Sequence, residues 1–148
     1  MGAVADAALQ SGGRVTGVIP ERLVRAEIRH DGVEDMRLVA DMHQRKMVFT
    51  EEADAFLVLP GGIGTLDELF EAWTWGHLGV HDKCIGILNV DNYYSGLRSF
   101  LERSSAEGFI DPDAFQRILW SDSANDLLDA IARWQAGPLP AFRAHWKP

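Results

Sequence analysis

Between Asp54 and Leu78 the chain passes from an uninterrupted apolar run, "DAFLVLP", through a corner holding three glycines and straight into a segment of helical period. A run that is apolar along its whole length suits a strand covered on both faces of a parallel sheet. The same kind of run recurs as "RVTGVIP" (14–20), "MRLVA" (36–40), "KCIGILNV" (83–90) and "RILWS" (117–121), each short and bounded by turn or charged residues. Helical segments alternate with these runs. One spans residues 1–11 and is stopped by Gly12 and Gly13. A second covers 42–53 behind an Asp41 cap, and a third runs from the glycine corner to about Leu78. Tyr93 to Glu107 places Tyr94, Leu97 and Leu101 on one stripe and ends at Gly108. The last, 124–135, lies between a Ser123 cap and a Gly137–Pro138 stop. Residues 21–35 are charged and weakly periodic, and read as helix fragments and a surface loop.

Strands alternating with helices predict an α/β fold built on a doubly wound parallel sheet. The expected organisation is a single domain over residues 1–136 and a loose tail over 137–148. One feature departs from this architecture, which begins with a strand: the chain opens on a helix.

Composition narrows the function. A formal charge of −8 argues against broad electrostatic binding to nucleic acid or an anionic membrane, but not against a local cationic pocket. With Cys84 alone no internal disulfide forms, which fits a reducing cytoplasm, and its apolar surroundings mark it as a buried, inert thiol. No apolar span reaches transmembrane length, and the N-terminus lacks the basic-then-apolar order of a secretory signal.

The corner "LPGGIGT" (59–65) sits where open parallel sheets bind ligands, beyond the carboxyl end of a strand. Gly61, Gly62 and Gly64 permit positive φ and close backbone approach, and the helix that follows offers free N–H groups. Together they can seat a phosphate without a lysine. The plainer reading is a tight turn in which Thr65 and Glu68 form a T-x-x-E capping box. A minimal turn does not require three glycines, and that excess favours the anion site.

In "MHQRK", Arg45 and Lys46 are adjacent in a chain with only three lysines. They form either a solvated helix face or a phosphate grip, a task suited to guanidinium. Glu27, between Arg25 and Arg29, reads by itself as an exposed ion pair. The histidines show no metal-binding spacing, so no metal is expected. Phe70, Trp73 and Trp75 read as core or subunit packing rather than a base-stacking platform.

Taken together, "MHQRK", "PGGIGTLDE" and "WTWGHLGVHDKCIGILNVDNYY" closely resemble the Lonely Guy (LOG) family, cytokinin riboside 5′-monophosphate phosphoribohydrolases whose relatives often carry the label lysine decarboxylase. The similarity runs from Met1 to about Trp134. It implies a Rossmann-like three-layer α/β/α fold and a cytoplasmic homodimer with active sites near the subunit interface. It further implies hydrolysis of the N-glycosidic bond of AMP-like nucleotides, giving a free base and ribose 5-phosphate without any cofactor. By matching position, Arg45 and Glu68 correspond to the family's catalytic pair, and Gly61, Gly62, Ile63, Gly64 and Thr65 to its phosphate loop. Glu27, Lys46, Asp67 and Thr74 fall at or beside substrate-contacting positions; Asp67 stands where a glutamate is common.

Glycosidic cleavage passes through an oxocarbenium-like state that a carboxylate stabilises. Glu68 would bind ribose hydroxyls and orient water, while Arg45 would hold the phosphate or stabilise the departing base. The competing expectation is a nucleotide or molybdopterin-cofactor carrier using the same loop, which has no need of both Arg45 and Glu68. Neither Lys46 nor Lys83 lies in a Schiff-base setting suited to pyridoxal chemistry.

The family's fold starts with a strand, a helix and a second strand ahead of the "MGAVADAAL" helix. A βαβ unit of roughly 30 or more residues is therefore expected upstream. The 148 residues read as a fragment, as a frame begun at an internal methionine, or as a chain whose subunits rearrange their pairing. If complete, the chain is expected to have weak hydrolase activity or none.

Overall fold

A computed structural model describes residues 1–24, 30 and 32–137, so Glu27 and the tail from Pro138 lie outside the described residues. The chain divides into two compact units, Met1–Glu52 and a second beginning at Ala53.

In the first unit, α1 (Gly2–Gln10) ends where Gly12 adopts φ 76° and Gly13 N–H reaches back to Ala8, the stop expected of this glycine pair. Strands β1 (Thr16–Pro20) and β2 (Asp35–Val39) pair in parallel, with Thr16 opposite Asp35 and Pro20 opposite Val39. A 3-10 turn, Glu21–Leu23, is the helical fragment described between them. Helix α2 (Met42–Glu52) starts behind Asp41, whose carboxylate accepts the Gln44 N–H at 2.9 Å. The Gln44 side chain in turn accepts the Ala40 N–H, so two otherwise unpaired donors are satisfied.

The second unit holds a parallel sheet in the order β3–β4–β5: Phe56–Val58, Ile85–Leu88 and Ile118–Ser121. Helix α3 (Ile63–His77) connects β3 to β4; α4 (Ser95–Ala106) and the four-residue α5 (Pro112–Phe115) connect β4 to β5. Helix α6 (Ala124–Ala136) follows, capped by Ser123.

Alternation along β4 organises this unit. Ile85 and Ile87 point into a core with Leu69 and Trp73 of α3 and Leu101 of α4. Cys84 belongs to the opposite cluster, with Leu127 and Ile131 of α6. The three-layer α/β/α arrangement is thus laid down by residue parity. Each fully buried aliphatic chain contributes roughly 1.5–3 kcal/mol. Gly86, the residue facing α6, leaves room for that helix: a Cβ there would lie 3.0–3.2 Å from Ile131 and Leu127.

The parallel strands and alternating helices bear out the Rossmann-like α/β expectation. Helix α5 is an addition to it, begun by Asp111 as cap and Pro112 at the first helical position. Trp73 is buried with its indole N–H donating to the Ala114 carbonyl at 2.9 Å, a core residue as expected. Among the described residues no helix is long and apolar enough to cross a membrane.

Candidate active site

Helix α3 begins at Ile63, with Gly62 as its cap residue and no side chain capping it. Its first continuing bond runs from Leu66 N–H to Gly62 O at 3.1 Å, leaving the N–H groups of Ile63, Gly64 and Thr65 ahead of the intrahelical ladder. This corrects the capping-box reading. Thr65 is the third helical residue rather than the cap, so Glu68 has no capping threonine to close onto and lies deeper in the helix.

A second correction concerns the glycines. None of the three takes positive φ; Gly62 lies at φ −98°, ψ −150°. Their smallness acts in other ways. Gly61 is required by crowding, because a Cβ on it would collide with the Thr65 side chain. Among the described residues nothing lies within 4 Å of a Cβ position on Gly62 or Gly64, so they leave this end of the helix uncrowded. Ile63, 88% exposed, packs into no core. Unfilled space, unbonded N–H groups and the positive end of a 15-residue helix dipole are together suited to an anion.

The corner is held from behind by two tyrosines, Tyr93, read from the sequence as the start of a helix, and Tyr94, read as part of its stripe; both precede α4, which begins at Ser95. Tyr93 donates its hydroxyl to the Gly61 carbonyl and Tyr94 to the Leu59 carbonyl, both at 2.8 Å. The rings meet edge to face with centroids 4.8 Å apart. Tyr94 is 3% exposed, and burial pushes its hydroxyl pKa up, eased by the nearby Gly61 backbone, so it remains a donor. The turn presenting both rings is unusual. Asp91 and Asn92 occupy positive φ, and Asn89 accepts the Tyr94 N–H at 2.6 Å while its own N–H bonds Ser121 O.

Along α3, helical spacing aligns Gly64, Glu68, Glu71 and Trp75 on one stripe. Glu68 and Glu71 are half-buried, and Glu71 has one carboxylate oxygen fully shielded from solvent. Glu71 is a second carboxylate one turn from Glu68, absent from the sequence-based set. Asp67 and Thr74 are exposed on a neighbouring stripe, and Thr74 turns its hydroxyl back to the Phe70 carbonyl at 2.7 Å.

In the first unit, Arg45 and Lys46 are half-buried on α2 rather than fully solvated. The Arg45 guanidinium lies 5.5 Å from the centre of the Phe49 ring one turn on, a cation–π contact that restricts its orientation.

Comparison with known proteins gives this arrangement its context. A family model described as "Possible lysine decarboxylase" matches residues 1–131. Two Arabidopsis thaliana proteins, cytokinin riboside 5′-monophosphate phosphoribohydrolases LOG3 and LOG1, are 45% identical over 134 residues and 47% identical over 131. These matches cover 90% and 88% of this chain and 62% of each relative. The probable phosphoribohydrolase LOGL3 of Oryza sativa subsp. japonica is 45% identical over 90% of this chain and 64% of its own. The chain therefore spans a little under two thirds of the curated relatives it matches. The glycine corner, α3 and the tyrosine turn all lie inside the matched residues, the Lonely Guy resemblance is borne out, and the chain belongs to the possible lysine decarboxylase family.

Proposed function

We propose that this chain belongs to an enzyme hydrolysing the N-glycosidic bond of cytokinin or adenine-type nucleoside 5′-monophosphates, releasing the base and ribose 5-phosphate. One observation carries the reading: the uncapped, open N-terminus of α3 with Glu68 on the same helix. The names of the relatives at 45–47% identity supply the substrate class.

In this reading "PGGIGT" is the phosphate loop, with Gly61, Gly62, Ile63, Gly64 and Thr65 around the 5′-phosphate. Glu68 engages the ribose hydroxyls and directs water to the anomeric carbon, its negative charge stabilising the oxocarbenium-like transition state. Arg45 brings a guanidinium, a fork of N–H donors with no acceptor. Its contribution is therefore electrostatic, on the phosphate or on the charge of the departing base. Lys46, Glu27, Asp67 and Thr74 make the remaining substrate contacts, and no cofactor takes part. The enzyme works as a cytoplasmic homodimer with its active sites near the subunit interface.

Incubation with adenosine monophosphate and isopentenyladenosine monophosphate, followed by chromatography for free base, tests the proposal. Base release that disappears in Arg45→Ala supports it. Tight nucleotide binding without base release, in a chain that also carries an upstream βαβ unit, would instead favour the carrier reading.

A further inference from the structure

We propose that Tyr93 is a positioning residue for the anion corner, holding the Gly61–Gly62 peptide so that the Gly62 N–H faces the bound 5′-phosphate; this rests on the function proposed above. In a trans peptide the carbonyl and the following N–H point in opposite directions, and no cis bond occurs among the described residues. The Tyr93 hydroxyl holds the Gly61 carbonyl at 2.8 Å, which turns the Gly62 N–H away from the tyrosine. Among the described residues nothing lies within 4 Å of a Cβ position on Gly62, so they leave the cap residue uncrowded.

Glycines do not hold such a plane by themselves, because their backbone rotates freely on both sides. The fixing has to come from outside, and the turn that supplies it is itself anchored. Asn89 bonds the Tyr94 N–H and the Ser95 hydroxyl, and its own N–H bonds the Ser121 carbonyl at the end of β5. Two consecutive non-glycine residues at positive φ, Asp91 and Asn92, bring Tyr93 to the corner. Asp and Asn are the non-glycine residues that best tolerate this region, so the turn is built from residue types that hold its shape. Tyr93 is 56% exposed, so its retention at the corner is not explained by core burial.

Calorimetric titration of the 148-residue protein and of Tyr93→Phe with AMP and with adenosine tests this. Loss of one net hydrogen bond predicts roughly three- to tenfold weaker AMP binding, with adenosine binding unchanged. The thermal midpoint of the exposed-site variant should stay within about 3 °C. The Gly62 amide signal should move on AMP addition in the wild type and move less in the variant. Equal weakening for AMP and adenosine, or AMP binding equal to wild type, overturns the role of Tyr93 while leaving the enzyme reading intact. A wild-type protein that binds no AMP overturns both.

Discussion

Thr65 folds over Gly61 so closely that a Cβ on the glycine would lie 2.8 Å from the Thr65 Cβ and nearer still to its hydroxyl. Rotating the threonine relieves the hydroxyl contact but not the Cβ contact, so the backbone of the corner must shift. Gly61→Ala should therefore lower stability by about 1–3 kcal/mol and weaken AMP binding as the corner opens. Gly64→Ala is the matched control: nothing among the described residues lies within 4 Å of its Cβ position, and it sits inside α3. Stability should hold or rise by up to about 1 kcal/mol, while AMP binding falls because the methyl enters the open anion space. Urea unfolding and calorimetry on both variants separate the two effects. Equal AMP affinity in Gly64→Ala and wild type would remove the phosphate from this end of the helix.

Gly86 answers to a different constraint. It belongs to the middle strand of the β3–β4–β5 sheet, and Ile131 and Leu127 of α6 approach its missing Cβ to 3.0–3.2 Å. Both neighbours are buried aliphatic chains. Gly86→Val should push α6 off the sheet and cost about 1–3 kcal/mol or more, visible as a lower urea midpoint. An unchanged midpoint would show that α6 does not pack on this strand.

How these elements arise from the sequence differs case by case. Apolar runs such as "KCIGILNV" identify β4 because both faces of that strand are covered, and Ser123 with Gly137 brackets α6 by local chemistry alone. Helix α5 has four residues, too few for any periodicity, and only the Asp111–Pro112 pair marks its start. The T-x-x-E motif misleads because α3 begins at Ile63, two residues before Thr65, behind a Gly62 cap that offers no side chain. Tyr93 and Gly61 are separated by 32 positions, so their bond follows from tertiary structure and no local pattern encodes it. The glycine corner is legible as a loop, whereas the parts that hold it in shape are not.

His81 makes stability depend on pH. Burial is the chief cause that lowers its pKa below the ordinary 6.5, with the charges of Lys83 and Arg117 acting the same way. The Ala72 carbonyl and Asp82 oppose the shift, though Ala72 does not meet Nε2 in hydrogen-bonding geometry. Its Nδ1 accepts the Lys83 N–H at 3.2 Å, which requires that nitrogen to be unprotonated. The unfolded chain thus takes up the proton at higher pH than the folded one. The contribution is complete above pH 6.5 and is lost as pH falls through the lower folded value. His81→Asn keeps an acceptor for Lys83 but does not titrate. The difference between wild-type and variant unfolding free energies should shrink from about pH 7.5 to about pH 5. Parallel pH profiles for the two proteins would show that His81 carries no proton linkage.

Glu68 separates catalysis from stability most directly. Because Gly62 caps α3 and Thr65 is already the third helical residue, Glu68 has no capping bond to lose. A capping bond from Glu68 would be worth about 1 kcal/mol. The observed helix start predicts that Glu68→Gln changes stability by no more than about 0.5 kcal/mol. Turnover should respond in the opposite manner. A neutral amide nearly preserves shape and can still touch ribose hydroxyls, but it has no charge to set against the oxocarbenium-like state. Loss of one such electrostatic partner corresponds to about 10²–10³ in kcat, with KM for AMP moved little if the phosphate loop supplies most ground-state binding. Base release and urea unfolding measured on the same preparation decide the matter. Full turnover in Glu68→Gln would assign the catalytic charge to another residue, and Glu71, one turn further along the same stripe, is the first carboxylate to substitute next.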